Sequence, residues 1–354
     1  MESTGEYWKP VFNILEDNFE VVLVNAQHLI RVPGCKTDQS DAEWICEIMQ
    51  YGLLKASYIP SKGQQELREL VRYRTGFVRE RATLVNRVRK VLEGANIKLA
   101  NVATDVVGVS GLAMLAAMIA GNKDAEQMAD LAKGRLREKR EELAKALEGR
   151  IQANHRFVHT ELLCQIDSLE ESIARFDQEI IEVCRPFEEA VVLLDTIPGV
   201  ARQIAEIIVS EIETDMPRFP SADHLAAWAG VAQSGNNESA GKPHSGKTRK
   251  GNRHLMTALI QAANAASRTK NSCLHAQYQR LAGRRGRKRA IVAVAHSILV
   301  IAYHLISRNE PYQELGGDYF DKRSPEATAN RLNKRLERLG FQILVQETPV
   351  PAIS

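Results

Sequence analysis

Apolar and polar positions alternate along this chain in several distinct rhythms. Phe19 to Asn25 (FEVVLVN) is a β-branched run that predicts a short buried strand. Val32-Pro33-Gly34 then breaks the chain. A helix is expected to start near Lys36-Thr37-Asp38, with Ala42, Ile45, Ile48 and Met49 on one face, so residues 1–60 read as α/β. From Gln64 to Glu93 the period becomes helical. Leu67, Leu70, Val71, Phe77, Leu84 and Val88 are interleaved with Arg68, Arg72, Arg79, Arg87 and Arg89 on a basic polar side. A looser helical section rich in Ala and Val follows, through Gly121. Further on, Leu162, Ile166, Leu169, Ile173, Phe176, Ile180, Val183 and Phe187 recur at alternating spacings of four and three. This is a heptad seam, about 39 Å long at the usual helical rise. Pro186 is expected to end or kink it. Leu136, Leu143, Leu147 and Ile151 are its expected antiparallel partner, in a coiled-coil arm that either folds back or joins two subunits; a plain helical bundle is the alternative. A second helical domain is expected over 191–320. Beyond it come a basic amphipathic helix from Ala327 to Gly340, a strand-like Phe341–Val345 and a Pro-containing tail.

The fold class expected is α/β followed by a mainly α remainder. The 354 residues suffice for two or three domains, and a hydrophobic fraction of 44% suits real cores. The longest apolar stretch, Ala290 to Ile306, is broken by His296, Ser297 and His304, so a buried helix is expected rather than a membrane span. No N-terminal run is apolar enough for a signal peptide. Five scattered cysteines with neither a CxxC pair nor zinc spacing predict reduced thiols and a cytoplasmic protein.

Net charge is only +3, but its distribution changes the picture. Between Ser239 and Asn309 there is no Asp or Glu, against fourteen Lys and Arg. Acids are plentiful elsewhere, so their absence here is local and predicts a polyanionic partner. A solvated basic face is the plainer alternative.

Five groups could carry chemistry. Asp38 and Asp41 stand three apart at a helix start, where two carboxylates share a face and can hold Mg²⁺; on spacing alone, an N-cap with a first-turn acid is the better explanation. Glu2, in Met1-Glu2-Ser3-Thr4-Gly5, could join the same metal from a strand end. Ile197-Pro198-Gly199-Val200, ahead of a helical stretch, resembles half of a helix-hairpin-helix, in which N–H groups at a helix start meet a DNA phosphate. Pro198 and Gly199 are equally compatible with an ordinary Pro-Gly turn. The segment from Asn236-Asn237-Glu238-Ser239-Ala240-Gly241-Lys242 to Ser245-Gly246-Lys247-Thr248-Arg249-Lys250-Gly251-Asn252, followed by Arg253, is small, glycine-rich and basic. A serine there could attack a phosphodiester if activated, or the segment could simply line a DNA backbone. It lacks the GxxxxGK[ST] pattern of a P-loop. Finally, Arg284, Arg285, Arg287, Lys288 and Arg289 form a cationic knob ahead of the apolar stretch, suited to phosphate.

In this order, these residues resemble the bacterial insertion-sequence transposases that combine a RuvC-like (RNase H-like) DEDD domain, a coiled coil and a C-terminal serine domain; some members are known as bridge-RNA-guided recombinases. Met1–Gly5 is similar to the family's MEATG segment and Lys36–Ala42 to its KTDxxDA. Asn236–Lys242 with Thr248–Asn252 is similar to its NESAGK…TRKGN, and Arg331–Gly340 to its ending. The resemblance implies a truncated RuvC-like DEDD domain over 1–63 and its helical continuation over 64–123. It further implies a coiled coil over 124–190, a serine transposase domain over 191–320 and a C-terminal helix and tail over 321–354. It implies that Glu2, Asp38 and Asp41 bind Mg²⁺ and that Ser239 is a nucleophile forming a transient phosphoserine link, with Ser234 and Ser245 nearby. Expected partners are DNA, a guide RNA and further copies of the chain, with no membrane. The family's first Asp lies on a strand ahead of its MEATG segment. The expectation is therefore either a start assigned too late or a truncated, inactive nucleic-acid-binding copy. A RuvC-like nuclease using only the acids is the remaining alternative.

Overall fold

The computed structural model describes residues 1, 7–24, 38–54, 56–57, 59–232, 238–239, 242–243, 248 and 250–341, and only the backbone of 38–41, 238–239 and 242–243. The described residues are mostly helical, and the chain divides into two compact units, Met1–Gln65 and Glu66–Ser354.

In the first unit, α1 (Trp8–Leu15) buries Phe12 against the edge of Trp8, with ring centroids 5.7 Å apart. The strand expected over Phe19–Asn25 is only partly realised. Leu23 and Val24 are buried, and the stretch is hydrogen-bonded on both sides. The Met1 ammonium donates to the Val22 carbonyl at 2.9 Å, the Val24 N–H donates to Met1 at 2.8 Å and the Ser57 N–H donates to Leu23 at 2.6 Å. A single antiparallel bridge, Val24 with Ala56, is as far as pairing goes among the described residues, and Phe19 is exposed. Helix α2 (Asp38–Gln50) forms as expected and buries Ile48, but Met49 faces outward because the buried stripe is narrower than the apolar pattern.

The second unit is built on two long helices, α3 (Lys62–Gly94) and α8 (Ala153–Cys184). Aromatic contacts join them at mid-length, Phe176 to Phe77 at 5.3 Å and to Tyr73 at 6.4 Å, and ion pairs link Arg74 to Asp177 and Arg81 to Glu170. The heptad seam therefore does not pair with 136–151. Its two ends enter different cores. Leu162, Ile166 and Leu169 join a cluster with Leu84, Val88 and Leu92 of α3 and the short helices α4 (Leu99–Val102), α5 (Val109–Ile119), α6 (Ala125–Ala129) and α7 (Arg140–Leu147). Ile180, Val183 and Phe187 join the C-terminal core. The expected partner leucines, Leu143 and Leu147, lie on α7 inside the first cluster. Eight residues are too short for a coiled-coil strand, so α7 packs by burial instead. Pro186 does end the long helix: α8 stops at Cys184 and a single 3₁₀ turn leads into α9 (Glu188–Asp195).

His159 on α8 is 1% exposed, and neither ring nitrogen has a hydrogen-bond partner. Burial, with help from the charge of His155, lowers its pKa. The fold thus prefers the neutral ring, while the unfolded chain protonates near pH ~6.5. Stability is therefore undiminished above that value and declines as pH falls below it. His159→Leu is expected to raise unfolding free energy by about 1 kcal/mol at neutral pH. The gain should widen in urea titrations run about a unit or more below pH 6.5.

The C-terminal core gathers α9, α10 (Arg202–Ile212), α11 (Ala222–Ala229), α12 (Arg253–Ala266), α13 (Cys273–Arg285) and α14 (Arg287–Arg308). The apolar stretch 290–306 lies in α14, the one described helix long and apolar enough to cross a membrane. Ala290, Val294, Ala295, Ile298, Leu299 and Ala302 bury one face of it in this core. Between α11 and α12, β1 (Glu238–Ser239) and β2 (Lys242–Pro243) pair antiparallel, with Ser239 opposite Lys242. Beyond the core, α15 (Tyr319–Lys322) leads to α16 (Pro325–Arg338), close to the helix expected over 327–340; the strand-like 342–345 lies outside the described residues.

Candidate nucleic-acid interface

The segment between α11 and α12 leaves the helical core and returns to it at one place. Helix α11 ends at Gly230 in the left-handed conformation, and Val231 turns back into the core. At the returning end, a Cβ on Gly251 would sit 2.3 Å from the Gly230 nitrogen and 2.5 Å from the Ala229 carbonyl carbon, so no side chain fits there. The two stems are in backbone contact. Asn252 then caps α12, its Oδ1 accepting from the N–H groups of His254 (3.0 Å) and Leu255 (3.1 Å).

An open cavity of about 950 Å³ lies at the foot of this segment. Val231, Ala232 and Thr248 line it from the stems, and Arg285, Lys288, Arg289 and His296 from the α13–α14 hairpin. Ser297 and Gln277 also face it, with the Gln277 amide donating to the Ser297 hydroxyl at 2.8 Å. Residues 283–289 at the hairpin tip are all exposed, and no described carboxylate is ion-paired with Arg284, Arg285, Arg287, Lys288 or Arg289. Unpaired guanidinium and ammonium groups beside a cavity produce a field suited to phosphate.

Of the residues singled out by sequence, Ser239 and Lys242 occupy facing positions of the β1–β2 pair, and Lys250 and Arg253 are exposed at the returning stem. Lys247, Arg249 and Glu2 lie outside the described residues, as do the side chains of Asp38 and Asp41, whose backbones occupy the first turn of α2 three residues apart. Among the described residues no cluster of three or more His, Cys, Asp or Glu is grouped to hold a metal. The structure gives Gly199 a packing reason: its φ is +88°, and a Cβ would meet the α12 backbone at 2.5 Å. At the head of α10, Arg202 pairs with Glu188 (2.6 Å) and Glu206 (3.0 Å). Burial raises the Glu206 carboxyl above its usual range despite Arg202. Cys184, pushed up to about 11 chiefly by burial, is an inert thiol.

Sequence reading missed Glu211. Its side chain is fully buried, it takes both Nε and Nη2 of Arg72 at 2.8 Å, and it accepts from the Asn252 amide at 2.6 Å. Burial alone would raise this carboxyl. The Arg72 hydrogen bonds and charge, with Arg68 and Asn252, outweigh burial and hold it below the usual carboxylate range. An acid inside the apolar run IIVSEI was the available signal.

A family model described as "Transposase IS116/IS110/IS902 family" matches residues 191–279, and a DEDD model of the IS110 type described as "Transposase" matches 1–97. The chain is 24% identical over 295 residues to the transposase for insertion sequence element IS1111A of Coxiella burnetii, covering 82% of this chain and 72% of that protein. It is 27% identical over 290 residues to a putative transposase of Sinorhizobium fredii, covering 80% of this chain and 65% of the relative. A probable family 20 transposase of Pseudomonas aeruginosa is 26% identical over 285 residues, covering 80% and 75%.

Proposed function

Because the chain belongs to the IS116/IS110/IS902 family of transposases, we propose that it cuts and rejoins DNA at the ends of an insertion element, with Ser239 as nucleophile and Mg²⁺ as cofactor. The observation that carries this reading is the placement of the serine segment: both of its stems are fixed beside a cavity lined by Arg285, Lys288 and Arg289. Those cations hold the phosphate and offset its charge as the Ser239 hydroxyl attacks phosphorus. The Ser239 proton passes to a base or to water, a P–O bond to one deoxyribose breaks and the released sugar hydroxyl takes up a proton. The phosphoserine link keeps the bond energy for rejoining.

Glu2, Asp38 and Asp41 are the residues that would hold Mg²⁺. Three carboxylates are the hard oxygen donors this ion prefers, and the backbones of Asp38 and Asp41 stand three residues apart in the first turn of α2. Bound there, the ion would supply neutralisation of phosphate charge. An RNase H-like fold for the N-terminal segment, a guide RNA and a homo-oligomer belong to the same reading. The oligomer is supported by Leu332 and Leu336, exposed on α16, and by Leu339 just past its end, at spacings of four and three.

In the presence of Mg²⁺ and DNA bearing the element's termini, the wild-type chain should form a covalent DNA adduct. Ser239→Ala should lower adduct formation by about 10³-fold or more while leaving DNA affinity unchanged. An adduct that persists in Ser239→Ala removes the assignment. Cleavage without any adduct points to hydrolysis by the acids alone.

A further inference from the structure

The proposed chemistry makes no use of Glu211, yet its buried carboxylate is engaged by Arg72, Arg68 and Asn252. Arg72 grips it through two nitrogens at 2.8 Å each. Arg68 stands 3.6 Å away and donates to the carbonyls of Ser210 (2.9 Å) and Glu211 (3.0 Å), closing the end of α10. The remaining partner is Asn252, at 2.6 Å. Asn252 is used at both ends, because its oxygen caps α12 while its amide nitrogen donates to Glu211. Its neighbour Gly251 is pressed against Gly230. The residues on which the serine segment re-enters the core are thus held from two directions, by Gly230 behind and by the Glu211 carboxylate beneath.

A buried ion pair contributes little net stability compared with apolar side chains of the same volume, but it fixes one geometry. We propose that Glu211, acting through Asn252, is a positioning residue for the serine segment: it fixes where the chain re-enters the core and so where Ser239 stands relative to Arg285, Lys288 and Arg289. This rests on the reading of Ser239 as the nucleophile. Arg72 lies on α3, so the tie also anchors the long arm to the stem of the segment.

Asn252→Ser isolates this role. Serine caps a helix about as well as asparagine but is too short to reach Glu211, and Arg72 still satisfies the carboxylate. With the full chain, Mg²⁺ and DNA bearing the element's termini, the adduct rate at saturating DNA should fall about 10–100-fold. DNA affinity should stay within about twofold, and the melting temperature close to wild type. Amide hydrogen exchange at Thr248–Gly251 should accelerate. A rate and an exchange profile both unchanged would overturn the proposal. So would a rate that falls only in step with lost affinity or lost folding. If the wild type forms no adduct at Ser239 while exchange in Asn252→Ser still accelerates, the positioning stands and the nucleophile assignment fails.

Discussion

Glu211→Ala should destabilise the C-terminal helical domain by about 3 kcal/mol. The wild-type carboxylate is fully buried and satisfies both Arg72 nitrogens and the Asn252 amide. Removing it leaves the Arg72 guanidinium and the Asn252 amide without their shared acceptor, while Arg68 keeps the Ser210 and Glu211 carbonyls. Breaking one side of a buried pair costs roughly 3–5 kcal/mol. The lower figure applies here because the Arg72 side chain is 34% exposed and can recruit water. Urea unfolding with a two-state probe of the C-terminal domain measures this, and a loss below about 1 kcal/mol would show an ion pair of the exposed kind. The effect has a defined pH dependence. The folded-state pKa of Glu211 is depressed, so its contribution is complete above the unfolded value of about 4.3 and disappears as pH falls through the lower folded value. The difference between wild type and Glu211→Ala should therefore be constant from neutrality down to about pH 5 and shrink in stronger acid.

Gly199→Ala is the second large effect. At φ +88° an L side chain is strained, and the new Cβ would stand 2.5 Å from both the Ala262 oxygen and the Ala266 nitrogen and 2.9 Å from the Ala266 Cβ. Backbone cannot yield as a side-chain tip can, so α12 and the turn before α10 must separate. Backbone strain and overpacking together should cost about 3 kcal/mol or more. Because α12 also carries Asn252 and the returning stem, the adduct rate should fall with stability. A variant that melts like wild type would show that the turn is not seated on α12.

Much of the helical framework was legible because its apolar period is long and strong. The Gln64–Glu93 reading became α3, and the 290–306 stretch became the core helix α14, with Ala290, Val294 and Ile298 inward. The seam from Leu162 was read correctly as one helix ended near Pro186. Its partner was not legible, since a heptad pattern records which face is apolar and not what covers it. Leu136–Ile151 shares the composition, but α7 is too short to pair along the seam, and α3 supplies the facing surface. The Phe19–Asn25 run had β propensity, yet propensity cannot create a neighbour, and Val24 bridges Ala56 alone among the described residues.

The site divides in the same way. The basic hairpin and the glycine-rich segment were visible as composition, because anions are absent from a long stretch. Glu211 was not, because its importance comes from Arg72, 139 residues away in sequence, and from Asn252 at 41. Arg68 and Arg72 were read as part of the basic polar side of a helix, and the structure turns both towards the end of α10. Arginines facing water and arginines facing a buried carboxylate look identical in one sequence.

The central claim, that this protein links itself to DNA through Ser239, is tested most directly by mapping the covalent attachment. The wild-type chain would be incubated with DNA carrying the element's termini and Mg²⁺, digested with protease and nuclease, and the nucleotide-bearing peptide sequenced by mass spectrometry. The account predicts a phosphodiester on Ser239, absent when Mg²⁺ is chelated. Attachment at Ser234 or Ser245, or strand cleavage that leaves no peptide bonded to DNA, would contradict it.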